Sequence, residues 1–194
     1  RSSVAWPPVE TPPDASEVAG ALHNASGKGG PIVVWPHRWE HDKGPDELLA
    51  LARRYSSEWD LRWVVLGQQY QQEPPELATF REEFADRILH AGFLEDRDAY
   101  WAWLHAGDWV LSTARHEFFG IAVVEAMHCG CLPWLPSRLS YMELLPEEGR
   151  DLSPGNPPGN IDVLRAQLAS HLGACEATAA VARIEKLIST FIPP

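Results

Sequence analysis

DWVLSTARHEFFGIAVVEAMHCGCLPWLP, residues 108–136, reads as one complete unit of strand, loop, helix and strand. DWVLST (108–113) and CLPWLP (131–136) are short runs of Val, Leu and Trp, and FGIAVVEAMHCG (119–130) between them has the length of a buried helix. A crossover of that length returns the chain to the starting edge of a sheet, so the two strands run parallel.

The same alternation extends towards the N-terminus. Strand-like PIVVW (31–35), LRWVVLG (61–67) and ILHAGF (88–93) are separated by helix-like DELLALARRY (46–55) and PELATFREEFADR (75–87), and DRDAYWAWLHAG (96–107) leads into DWVLST. Repeated βαβ units predict an α/β fold, a three-layer sandwich with a mostly parallel sheet. Beyond the sheet, 147–160 is loop-like, and the sequence from Ile161 suggests one or two closing helices. Residues 1–30, with Pro7, Pro8, Pro12, Pro13 and GKGG at 27–30, show no sustained apolar period and are read as a linker or N-terminal extension, leaving 31–194 as the folded domain.

Composition narrows the chemistry. The 194 residues suit one core, and a net charge of −11 argues against a nucleic-acid grip by this chain alone. No stretch approaches the roughly 20 apolar residues of a membrane helix, and Cys129, Cys131 and Cys175 form no paired spacing. A cytoplasmic chain with reduced thiols is expected. The glycosylation triplet at 24–26 is too short a pattern to carry weight.

Parallel sheets bind ligands at the carboxyl ends of their strands, which points to the loops after 31–35 and 108–113. The first, PHRWEHDKGP, holds Arg38 and Lys43, a planar fork and a mobile point charge suited to a diphosphate, although two solvated charges give the plainer account. In the second, Gly120 is expected to open a helix whose first amides are unpaired. Glu117 precedes that terminus and Glu125 lies about a turn and a half inside it, so both can accept from sugar hydroxyls.

The run E-FFGIAVV-E, with SYME at 140–143, resembles the EX7E donor motif of family 4 retaining glycosyltransferases of the GT-B architecture. A closer likeness, over roughly 31–146, is to the tRNA-queuosine mannosyltransferases, carried by WPHRWEHDK (35–43), STARHEFFGIAVVEA (112–126) and LSYMELLP (139–146), with Met142 where proline is expected. The resemblance implies a Rossmann-like donor-binding half, GDP-mannose as donor, queuosine in tRNA as acceptor, and no metal or cofactor. It also implies an N-terminal acceptor half outside this chain, without which the domain has little or no activity. By the same resemblance Arg38 and Lys43 bind the diphosphate, Glu117 binds the transferred hexose, Phe119, Gly120 and Ile121 offer amides, Glu125 binds the ribose, and His116 is counted among the donor-binding residues. Arg38, Lys43 and Glu117 are the residues expected to carry catalysis.

Competing motifs have simpler explanations. HRWEH (37–41) fits an inverted zinc-peptidase pattern only if it is helical, and Pro36 and Gly44-Pro45 favour a turn. Asp96-Arg97-Asp98 reads as a helix N-cap before it reads as a metal site. Cys129 and Cys131 are expected to serve packing. Trp35, Trp63, Trp109 and Trp134 are expected in the core, and one of Trp101 and Trp103 at a surface.

Overall fold

The five predicted strands all form, and they pair in one wholly parallel sheet in the order β3-β2-β1-β4-β5. They are β1 (Ile32–Pro36), β2 (Arg62–Leu66), β3 (Ile88–Gly92), β4 (Trp109–Leu111) and β5 (Leu132–Trp134). The computed structural model describes residues 6–25, 29–56, 58–68 and 72–191. Helices α2 (Pro45–Ser56), α3 (Pro75–Glu83), α4 (Arg97–Ala106) and α5 (Ile121–His128) make the crossovers, and α6 (Tyr141–Leu144), α7 (Ile161–Leu172) and α8 (Ala177–Phe191) follow. This is the α/β, Rossmann-like arrangement expected from the sequence.

Continuous burial explains the strand composition. Every residue of β1, β2, β4 and β5 is buried, as a sheet covered by helices on both faces requires. Trp35, Trp63, Trp109 and Trp134 lie in that core. Trp101 is buried as well, and Trp103 is half-buried, stacked on His90, so neither tryptophan of α4 is left as a bare surface ring. Asp108 turns its carboxylate to the Ile32 amide at 2.8 Å and so ties the start of β4 to β1.

Among the described residues before β1, part of the stretch expected as linker or N-terminal extension is folded onto the domain. Ser16–Ala25 forms helix α1, which packs on α4, with Ala19 buried. Val9 is 1% exposed and pairs with the C-terminal region, its amide donating to Cys175 O at 2.7 Å while its carbonyl accepts from Ala177 N. The helix is short and built from small residues, so its stability comes from docking, which a periodicity search does not register. Asp96 caps α4 by accepting from the Asp98 amide, as its N-cap reading anticipated. Cys131 is buried with its thiol donating to Leu104 O.

The loop after β1 reaches the loop after β4 through one glycine. Gly44 has φ 66°, and a Cβ placed there would lie 2.2 Å from Thr113 O. Gly44→Ala therefore combines a left-handed backbone with a backbone clash and is expected to cost about 2–4 kcal/mol in urea unfolding, whereas Gly159→Ala, which meets nothing within 4 Å, is expected to be near neutral.

Candidate functional site

At the carboxyl edge of β1 and β4 the chain crowds cations, acids and helix-terminal amides together. After β1, His41–Lys43 makes a single 3-10 turn closed by Gly44. Thr113, just past β4, accepts from Trp35 Nε1 at 2.9 Å and donates to Lys43 O at 2.7 Å. The Arg115 amide donates to Asp42 O. These bonds fasten the two ligand-facing loops to each other.

Lys43 is only 6% exposed, and its ammonium donates to His116 O at 2.8 Å and to Glu117 Oε2 at 3.2 Å, with Asp42 Oδ2 at 3.4 Å. Three protons thus face three oxygens. The other Glu117 oxygen, Oε1, accepts from the amides of Phe118 at 3.1 Å and Gly120 at 3.2 Å. Glu117 consequently lies at the start of α5, where the helix dipole favours negative charge.

Gly120 opens α5 as expected, with φ 85°. Tyr141 packs beneath it, 3.1 Å from where a Cβ would lie, and its hydroxyl meets Ser112 Oγ at 2.7 Å. Ser140 Oγ donates to Phe119 O. The SYME run therefore braces the mouth of α5.

The predicted residues fall into two groups. Lys43, Glu117, Gly120 and the carbonyl of His116 converge at the α5 terminus, whereas the His116 side chain itself is exposed. The Gly120 amide is engaged by Glu117, so it is not an open donor; Ile121 is exposed and Phe119 is half-buried against Trp6. Arg38, half-exposed and paired with Glu40, instead lines a cavity of about 380 Å³ with Pro36, Gly67, Glu95, Arg97, Tyr100 and Ala122.

Glu125, one turn after Ala122, is buried and bonded on both oxygens. Arg97 donates to Oε1 at 2.7 Å and Tyr100 to Oε2 at 2.6 Å. Neither partner was anticipated from the sequence. Both follow β3 and so belong to a third loop-helix junction at the same edge of the sheet, but no local sequence pattern joins them to Glu125. A larger cavity of about 560 Å³ lies at the opposite edge, against Gly30, Asp108, Leu132 and Ile161, away from these groups.

HRWEH does not form the helix a zinc peptidase needs. His37 lies outside any helix, buried edge-on against Trp35, and only His41 of the two histidines enters the 3-10 turn. Burial, assisted by the nearby Lys43 charge, pushes the His37 imidazole down to about 3.

The chain matches the family Glycosyl transferases group 1 over residues 22–136. It is 42% identical over 117 residues to the tRNA-queuosine alpha-mannosyltransferase of Drosophila melanogaster, covering 60% of this chain and 31% of that protein. It is 28% identical over 149 residues to a GDP-mannose:cellobiosyl-diphosphopolyprenol alpha-mannosyltransferase of Xanthomonas oryzae pv. oryzae, covering 73% of this chain and 37% of that protein. The chain thus spans about a third of the length of these curated relatives. Anabaena Alr3699/HepE in complex with UDP and glucose superposes with a TM-score of 0.68 at 17% identity, over 93% of this chain and 53% of that one. The C-terminal domain of a group 1 glycosyl transferase, LpcC of Francisella tularensis, superposes with a TM-score of 0.58 at 18% identity, over 91% and 90%. At these identities the superpositions show the fold.

A buried neutral histidine carries a sign for pH. Unfolding frees His37 to take up a proton near pH 6.5, whereas the folded site resists protonation down to about 3. Its stabilising effect is complete above pH 6.5 and is lost as pH falls from about 6.5 towards 3, by roughly 1.4 kcal/mol per pH unit. Denaturant titrations at pH 7, 6 and 5 are expected to show this slope in the difference between the native chain and His37→Gln; parallel profiles would refute it.

Proposed function

The chain belongs to the group 1 glycosyl transferases, and we propose from that premise that it is the donor-binding part of a retaining mannosyltransferase acting on queuosine in tRNA with GDP-mannose. The observation that carries the donor site is the Lys43–Glu117 pair at the mouth of α5, beside the cavity that Arg38 lines. The acceptor reading rests on the 42% identity to the Drosophila mannosyltransferase. Because that match spans 31% of the relative, the complete reaction is proposed for a protein with an N-terminal acceptor-binding half, in the cytoplasm where tRNA is met.

The residues divide the chemistry as follows. Breaking the bond between sugar and diphosphate leaves positive charge on the anomeric carbon and negative charge on the departing nucleotide. Fixed positive groups aimed at that oxygen lower the barrier without reorganising. Arg38, half-exposed and paired among the described residues with Glu40, can turn its fork onto the diphosphate. The first-turn amides of α5 add partial positive charge. Lys43 holds Glu117 in place and adds its field from behind, and the Glu117 carboxylate accepts from the hexose hydroxyls. Glu125 takes the ribose.

A group 1 transferase with another acceptor is the second reading, favoured by the Xanthomonas relative, whose name also carries GDP-mannose. A nucleotide-sugar-binding module without turnover is the third.

Calorimetric titration of the chain is expected to give weak binding of GDP, in the high micromolar to millimolar range, that is on the order of −4 to −6 kcal/mol. Lys43→Ala is expected to weaken it at least about tenfold, or about 1.4 kcal/mol. Binding of neither GDP nor UDP at millimolar concentration would overturn the donor site. With the acceptor half present, GDP-mannose and queuosine-containing tRNA are expected to gain one hexose by mass spectrometry, and Glu117→Ala to abolish the gain. Unmodified tRNA alongside glycosylation of a small sugar or lipid would remove the queuosine assignment and keep the transferase.

A further inference from the structure

The second acid of the motif is not an isolated acceptor. Glu125 is 5% exposed within an otherwise apolar helix, flanked by buried Val124 and Ala126, a position where an ionised carboxylate is costly without partners. Arg97 and Tyr100 supply those partners, one on each oxygen, and both also line the cavity that Arg38 faces.

Arg97 is itself held on three sides. Its guanidinium donates to Glu10 Oε2 at 2.7 Å as well as to Glu125, and it stacks over Tyr100 and Trp101 with centroid distances of 4.6 and 4.4 Å. Glu10 is carried by the segment that Val9 anchors to Cys175 and Ala177, so the clamp is backed by three separate parts of the chain. Burial works against the Arg97 charge, but the bonds from Glu10 and Glu125 outweigh it and hold the group more firmly protonated. Burial and the Glu125 charge raise the Tyr100 hydroxyl above its ordinary range, so it remains a donor.

We infer that Arg97 and Tyr100 are positioning residues that preset the Glu125 carboxylate for a vicinal diol, making the ribose end of the donor site a three-residue unit. An ionised carboxylate offers about four lone-pair sites. Arg97 and Tyr100 occupy two, fix the plane of the group, and leave two for neighbouring hydroxyls. Arg97, at the first position of α4, carries this role through its side chain, while Asp96 caps the helix by accepting from the Asp98 amide. The inference rests on the donor-site reading above, and it is separable from it by the ligand used.

The test compares GDP with 2′,3′-dideoxy-GDP, which keeps base and diphosphate but lacks both hydroxyls. The native chain is expected to prefer GDP by roughly tenfold or more, since a site built to bond hydroxyls rejects the analogue without them. Arg97→Met and Tyr100→Phe are expected to weaken GDP while leaving dideoxy-GDP nearly unchanged, so that the preference falls to about twofold; Arg97→Lys restores part of it. Tyr100→Phe removes one oxygen and carries the test alone if Arg97→Met fails to fold by thermal melting. A native chain that binds both nucleotides equally, or a folded Tyr100→Phe that binds with the native preference, overturns the inference and leaves the donor site standing. A native chain that binds neither overturns both.

Discussion

A single buried ammonium joins the two loops from which the site is made. Lys43 arrives from the loop after β1, and its acceptors, His116 O and Glu117 Oε2, belong to the loop after β4. Those strands are neighbours in the sheet, so their carboxyl ends already lie side by side. What the sheet cannot set is where the loops point, and a charge 6% exposed has to be matched by oxygens or it is not tolerated. Satisfying Lys43 fixes the 3-10 turn, draws Glu117 to the start of α5, and leaves Arg38 as the more exposed cation of the pair.

The helix that follows shows why two acids are spaced as they are. An all-apolar helix is normally a core element, and Val123, Val124, Ala126 and Met127 behave as one. Glu117 precedes it, where carboxylates favour the dipole and accept free amides. Glu125 lies inside it and is tolerated because Arg97 and Tyr100 meet both of its oxygens. The two acids therefore answer to different surroundings, one to a helix terminus and a lysine, the other to an arginine and a phenol.

Much of this was legible in the sequence, and the reasons are specific. Fully buried parallel strands read as unbroken Val, Leu and Trp runs, and Gly120 and Asp96 marked helix starts by their chemistry. Lys43 and Glu117 could be assigned to one cleft because each stands in a recognisable run, although they are 74 residues apart and their direct ion pair is set by side-chain geometry. Arg97 could not, since its partners Glu10 and Glu125 lie 87 and 28 residues away and no local pattern joins them. Helix α1 escaped for another reason: its small residues bury little on their own, and docking on α4 gives the segment its order. The Gly120 amide was expected to be open and is engaged by Glu117, a detail set by side-chain geometry alone.

The proposed ligand site lies at the carboxyl edge of the sheet although the larger of the two cavities, about 560 Å³, lies at the amino edge. Two-dimensional amide NMR of the chain during addition of GDP distinguishes the edges directly. Shifts are expected to concentrate at 38–44, 97–100 and 117–122, and Lys43→Ala is expected to remove them. Shifts concentrated instead around Gly30, Asp108 and Ile161, at the opposite edge, would contradict it.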